Sequence, residues 1–269
     1  MVLRSDSRCL EQLYAQYNRR HFVHPDPLEF LYDYPELRDR EVVGLIASCL
    51  AYGRVRQILK SLGQVLALLG DRPADFILGV SKSELQALFS GFKHRFTTGG
   101  HLAALLHGAS LVIKDFGSLE NCLVDSYLHH DESIIPALSA FVRKIRQAGG
   151  LDNTFLLPDP EKGSACKRLF LYLRWMVRSD EVDPGGWSGI PASALLVPLD
   201  THMYYICSNM GFTSRKQPDL KTAIEITERF QAINACDPVK YDFVLTRFGI
   251  REELDRNSLT YLLPSRPLL

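Results

Sequence analysis

Apolar positions recur at helical spacing along almost the whole chain. Val55, Ile58, Leu59, Leu62, Val65, Leu66 and Leu69 fall at i, i+3, i+4 and i+7, and Gly70-Asp71 ends the run. Leu102, Leu105, Leu106, Ala109, Val112 and Ile113 repeat the pattern, as do Ile134, Leu138, Phe141, Val142 and Ile145 before Gly149-Gly150. The same periodicity predicts helices over 4–18, 39–52, 82–91, 119–130, 163–178, 201–210, 219–231 and 238–247. Alternating runs of useful strand length are missing, so an all-α fold is expected. Two stretches interrupt the helices. Residues 149–163 carry Gly, Pro, Asp and Asn and read as a connector, and residues 179–198, with three glycines and three prolines, read as an extended hairpin.

This punctuation divides the chain into a helical lobe over 36–150 and a second lobe made of 1–35 with 151–269, together forming one unit of 269 residues. A chain of this length buries roughly three quarters of its unfolded surface and needs no disulfide or metal staple. The six cysteines are scattered without a C-x-x-C pair, and Cys49, Cys122 and Cys207 sit in apolar helical contexts. Zinc-ribbon and iron–sulfur patterns are therefore excluded, no metal or cofactor is expected, and a reduced cytoplasmic monomer is the reading. The opening residues mix charges of both signs, and no 18-residue uncharged apolar run occurs, so neither a signal peptide nor a membrane partner is expected.

Charge alters the picture only locally. Lys+Arg and Asp+Glu number 31 each, which argues against a polybasic protein that coats nucleic acid indiscriminately. Basic residues nevertheless collect at 54–60, 93–95 and 167–178, while acids crowd 26–41 and 115–132. Lys167, Arg174 and Arg178 share one helix side at i, i+7 and i+11, away from Leu169, Leu173, Met176 and Val177. That stripe is either a solvated face or a phosphate-tracking one.

The most informative segment runs from Lys162 to Phe212. A basic helix leads into a Gly/Pro-rich hairpin, and Pro198-Leu199-Asp200-Thr201-His202 then opens a second helix that stops at Gly211. This arrangement resembles the helix–hairpin–helix DNA glycosylase superfamily, whose members place an aspartate in a V-D-T-H-like element at a helix start. Leu199-Asp200-Thr201-His202 matches that element closely, and the course through Asp219–Phe230, Asp237-Pro238, Tyr241-Asp242 and Phe248-Gly249 is similar too. Most of the chain also resembles a sporadically distributed bacterial family of conserved proteins without an assigned function. Lys167 precedes Asp200 by 33 residues, a longer gap than in the common glycosylases. An archaeal branch specialised for 8-oxoguanine has a similarly long gap, with its lysine inside the helix before an extended hairpin.

The resemblance implies a two-lobed glycosylase-like fold and a bacterial base-excision enzyme, cytoplasmic and nucleoid-associated when engaged, whose partner is double-stranded DNA containing a damaged base. Breaking an N-glycosidic bond develops positive charge on the sugar, so a fixed carboxylate facing C1′ stabilises the transition state. Asp200 is the candidate carboxylate. Lyase chemistry adds an amine nucleophile that forms a Schiff base, and Lys167 is the candidate for it. An oxidised purine such as 8-oxoguanine is the implied substrate. Arg174, Arg178, Arg54 and Arg56, with the backbone amides of Gly185, Gly186 and Gly189, are the candidate DNA contacts. Tyr52, Phe92 and Trp187 are the candidate base pocket.

Two other readings compete. Asp200 is also a good N-cap for helix 201–210, and the hairpin could belong to a non-catalytic helix–hairpin–helix module that only binds DNA. His130-Asp131, with His101 or His107 before it and Asp200 after, is the dipeptide of an all-helical His-Asp metal phosphohydrolase.

Overall fold

The computed structural model of the chain describes residues 2–128, 133–152 and 155–251 with Leu254 and Leu259, and their side chains from Ser7 onward. It is predominantly helical. The first half carries α1 (Val2–Tyr17), α2 (Leu37–Leu50), α3 (Val55–Leu69), α4 (Pro73–Gly79), α5 (Lys82–Leu88), α6 (Gly99–Phe116), α7 (Leu119–Tyr127) and α8 (Ile134–Gly149). The second carries α9 (Lys167–Val177), α10 (Thr201–Asn209), α11 (Leu220–Gln231) and α12 (Asp242–Ile250). Among the described residues, strand is confined to β1 (Lys93–His94) and β2 (Thr97–Thr98), an antiparallel pair joined by the two-residue turn Arg95-Phe96. Within the same residues no single helix is long and apolar enough to cross a membrane.

Most predicted helices end within a few residues of their observed bounds, because the stop signals act locally. Helix α9 is the useful exception. It begins at Lys167 rather than 163, because Pro160–Lys162 forms its own 3-10 turn, closed by Gly163 at φ +85°. Helix α12 begins at Asp242 rather than 238, after a run of turns that starts at Pro238.

Helix α2 is buried along most of its circumference: Val42, Val43, Leu45, Ile46, Ala47 and Leu50 have no solvent exposure. It packs on α9 and α4, while α6 and α8 share the most extensive helix–helix contact among the described residues. Their backbones touch at two glycines. A Cβ on Gly108 would lie 2.2 Å from the Ile145 carbonyl oxygen, and one on Gly149 only 2.0 Å from that of Ala104. At the other end of the chain α1 packs on α12, and Tyr241 donates to Glu11 at 2.6 Å.

Residues 178–200 do not stand out as a free hairpin; they fold back and are pinned on both sides. Trp187 is buried, and its Nε1 donates to Glu41 Oε1 at 2.7 Å. Glu120 Oε1 accepts the amides of Ser188 at 2.6 Å and Gly189 at 2.7 Å. The Gly185 amide donates to the Trp175 carbonyl at 3.0 Å. These contacts correct three sequence expectations. The amides of Gly185 and Gly189 are spent inside the protein rather than offered to phosphate, and Trp187 is an internal anchor, not a base-stacking surface. Gly186 is exposed, but it rests against Leu37, whose Cδ1 would be 2.4 Å from a Cβ there.

Arg174 and Arg178 need the same correction. Both are buried, and the presumed phosphate stripe is covered by carboxylates arriving from two other segments. Arg174 Nε donates to Asp183 at 3.1 Å and its Nη1 to Asp242. Arg178 pairs with Asp180 at 2.9 Å, with Asp237 at 2.9 Å, and with Asp183. Two guanidinium groups shared among four aspartates form an internal brace, because a buried cation without a partner costs several kcal/mol.

Glu41 makes this scaffold sensitive to pH. Burial pushes its carboxyl up to about 7, against the opposing bonds from the Glu120 amide, Trp187 and the Leu119 amide. A carboxyl raised from 4.5 to about 7 holds a proton in the folded state that the unfolded chain releases. Its contribution to stability is therefore fully present below pH 4.5 and is lost as pH rises through about 7. Glu41→Gln is expected to flatten that decline, measured as urea midpoints at mildly acidic and mildly alkaline pH. Parallel pH profiles for the variant and the parent protein would contradict it.

Candidate active site

Between the start of α9, the start of α10, α12 and the 51–55 turn lies a cleft of about 480 Å³. Its lining includes Tyr52, Lys167, Arg174, Asp200, His202, Asp242 and Arg247, with Asp26 from the segment before α2. Lys167 is the first residue of α9. Its approach is fixed by the Ser164–Asp219 bridge and by the Leu220 amide donating to the Gly163 carbonyl at 3.0 Å. An ammonium at a helix N-terminus opposes the positive end of the helix dipole, so helix stability alone does not favour a lysine there.

Asp200 supplies the compensating charge. It caps α10, its Oδ1 accepting the Met203 amide at 2.8 Å. Its Oδ2 meets Lys167 Nζ at 2.8 Å. Burial pushes the Asp200 carboxyl up, but the Lys167 ammonium and the Met203 amide outweigh it and hold the group below its ordinary range. The carboxylate is thus ionised and partly buried, and it lines the cleft beside an amine. The cap and the cleft carboxylate, alternatives at the level of sequence, are two oxygens of one side chain.

Two further pairs complete the floor. Asp26 Oδ2 accepts Arg247 Nη2 at 2.8 Å, and Asp242 Oδ2 accepts Arg174 Nη1. Burial pushes the Asp242 carboxyl up to about 6; Arg174 opposes this and the nearby Asp200 adds to it. Asp242 Oδ1 and Arg247 Nε are buried without a hydrogen-bond partner. Three carboxylates matched by three cations give a cleft that is polar yet nearly neutral. Such a lining can accept an uncharged ring and still present one carboxylate to a developing cation.

The other sequence candidates distribute unevenly. Tyr52 forms part of the cleft wall, with its hydroxyl 2.8 Å from the His94 carbonyl and 2.7 Å from Thr97 Oγ1. Arg54 and Arg56 are exposed at the start of α3, beside the cleft residues Gly53 and Val55. Phe92 is not in the lining; it packs against Phe89 with ring centroids 6.5 Å apart, which corrects its assignment to a base pocket. His202 sits in the lining against Gly249, where a Cβ would come within 2.5 Å of its Nδ1. His130-Asp131 lies outside the described residues. His101 is engaged in the α6 cap, its Nδ1 accepting the Thr98 amide at 3.2 Å.

Sequence reasoning missed Asp26, Asp242, Arg247 and Arg168. Arg168 lies over the Tyr52 and Phe155 rings, 5.0 and 4.7 Å from their centroids, and donates to the Cys49 carbonyl at 2.6 Å. Adjacency to Lys167 was the one available signal for it. Asp26 and Arg247 pair across more than two hundred residues, which no local pattern announces.

The family described as "Protein of unknown function (DUF2400)" matches the chain over residues 26–251. That span includes every cleft residue named above. No curated protein and no solved structure matches the chain.

Proposed function

Starting from a chain that belongs to the DUF2400 family over residues 26–251, we propose that it is a DNA base-excision glycosylase with associated lyase chemistry. The observation that carries this reading is the Lys167–Asp200 pair, 2.8 Å apart within a cleft of about 480 Å³. A purine needs a pocket of a few hundred cubic ångströms, and most ligand pockets fall in that range.

In this reading the damaged nucleotide leaves the base stack and enters the cleft, at a cost of a few kcal/mol that is least for a weakly paired base. Asp200 faces the sugar and stabilises positive charge at C1′ as the bond to the base lengthens. Lys167 gives its ammonium proton to solvent and, as the free amine, attacks C1′. The bond to the base breaks with its electron pair on the base, which takes up the proton released by the amine, with Asp200 as the relay. The sugar ring then opens as the C1′–O4′ bond breaks with its electron pair on O4′, which takes a proton from solvent, and the nitrogen lone pair forms the protonated Schiff base on Lys167. An oxidised purine, 8-oxoguanine first, is the proposed substrate, following the resemblance of the long Lys167–Asp200 spacing.

The test is release of free base from 8-oxoguanine duplexes and from undamaged duplexes of the same sequence, followed by chromatography. Release confined to the damaged duplex is expected. Salt-dependent duplex binding with no base release from any lesion would replace the enzyme with a DNA-binding module.

A further inference from the structure

Asp242 lines the cleft without a task in base release. It is the first residue of α12 and sits between two buried anchors, Phe243 and Tyr241, the latter tied to Glu11 through its hydroxyl. Its two oxygens differ. Oδ2 accepts Arg174 Nη1, whereas Oδ1 is buried and has no hydrogen-bond partner. A buried acceptor left open destabilises the fold, so an orphan oxygen in the lining of a cleft points to chemistry there.

The fold treats the two carboxyls at this end of the cleft oppositely. Asp200 has the Lys167 ammonium and the Met203 amide, each at 2.8 Å, and stays ionised below the ordinary carboxylate range. Asp242 is raised, first by its burial and then by the Asp200 charge, against the opposing pull of Arg174 and Lys167. Both Lys167 and Asp200 therefore act directly on it from the starts of α9 and α10. Cys207 of α10 is also beside it, but that thiol is fully buried and held well above its ordinary range, so it stays uncharged. Arg247, on α12 itself, is paired with Asp26. Two carboxyls in one cavity whose proton affinities are pushed apart divide the work: one stays ionised and the other carries protons.

Lyase chemistry does not end at the Schiff base. Strand cleavage needs a base to take a proton from C2′, the carbon next to the one bound to Lys167. We propose that Asp242 is that base, its open Oδ1 taking the C2′ proton of the Schiff base held on Lys167. The C2′–H electron pair forms a C1′–C2′ double bond, and the pair of the C1′–N double bond returns to the Lys167 nitrogen. The nitrogen pair then re-forms the bond to C1′, and the C1′–C2′ pair moves to C2′–C3′. The C3′–O bond breaks with its electrons on the departing phosphate monoester, and Asp242 passes its proton to solvent. Asp200 is nearer to Lys167, but it is the weaker base and its oxygens are engaged by Lys167 and the Met203 amide. This rests on the reading of the protein as a glycosylase with lyase chemistry and gives the strand-cleaving step its own residue.

The experiment gives the full chain a duplex with one abasic site, which bypasses base release, and reads borohydride trapping and strand cleavage separately. Asp242→Asn is the variant, because asparagine can still accept from Arg174, which also keeps Asp183. It should trap the abasic site and release 8-oxoguanine within about threefold of wild type, yet cleave the strand about a hundredfold more slowly. Single-turnover cleavage by wild type should rise as pH passes about 6, where Asp242 becomes a carboxylate, and then level off. That inflection needs no variant, so it decides the matter even if Asp242→Asn does not fold. Cleavage by a folded Asp242→Asn equal to wild type, or wild-type cleavage that is flat through about pH 6, would overturn the base and leave Lys167 and Asp200 standing. Loss of trapping together with cleavage in a folded variant would place Asp242 before the Schiff base and overturn it as well. Neither trapping nor base release by wild type would overturn the glycosylase reading itself.

Discussion

Arg174→Ala is expected to lower stability by about 3–5 kcal/mol, the cost of stranding a buried countercharge. Arg174 is 3% exposed and holds Asp183 and Asp242, themselves 0% and 3% exposed. Without the guanidinium, Asp242 loses its ion-pair partner, while Asp183 keeps Arg178. Both carboxyls then favour their protonated forms in the folded state, so their cost is present at high pH and relieved as pH falls. The urea midpoint of the variant should therefore fall sharply at neutral pH and recover in part under mildly acidic conditions. Arg54→Ala and Arg56→Ala, at exposed positions, should shift stability by no more than about 0.5 kcal/mol. An Arg174→Ala protein as stable as its parent would mean that this arginine faces outward, as a phosphate-tracking stripe requires.

Asp200→Asn is expected to lower base release by about 10²–10³-fold, the effect typical of removing one preorganised electrostatic contact to a developing charge. Folding should survive the change. Asparagine caps a helix about as well as aspartate, so the bond to the Met203 amide persists while the negative charge is lost. This separates the two duties of the side chain, which Asp200→Ala would not. The depressed carboxyl also sets the pH response: its stabilising charge is fully present above 3.8 and is lost only as pH falls through the lower folded value. A drop of threefold or less in base release would reduce Asp200 to a helix cap.

The elements were readable where the pattern is local. Helix α3 follows its apolar spacing from Val55 to Leu69, and α6 and α8 stop where Gly117 and Gly150 stop them. Lys167 and Asp200 were also readable as types at positions, but their meeting was not. It depends on the start of α9 being tied to the start of α11, and on Asp200 being turned inward by its own cap. The basic stripe failed for a related reason. Helical spacing places Arg174 and Arg178 on one side, but only the tertiary fold brings Asp183, Asp237 and Asp242 over them. The glycines misled because loop composition does not reveal which acceptors, here Glu120 for Gly189 and the Trp175 carbonyl for Gly185, have already taken the amides. Net charge of zero is now easier to interpret: Arg174, Arg178 and Arg247 are spent on internal pairs, while Arg54, Arg56, Lys93 and Arg95 stay exposed.

The most direct test of the central claim is borohydride trapping on abasic and 8-oxoguanine duplexes, read by mass spectrometry of the digested protein. Reduction of the Schiff base should leave a stable protein–DNA adduct on the peptide that carries Lys167. The adduct should be absent from Lys167→Gln, whose fold should be retained because the side chain is partly exposed and Asp200 keeps the Met203 amide. No adduct with wild type, or an equal adduct with Lys167→Gln, would contradict the account.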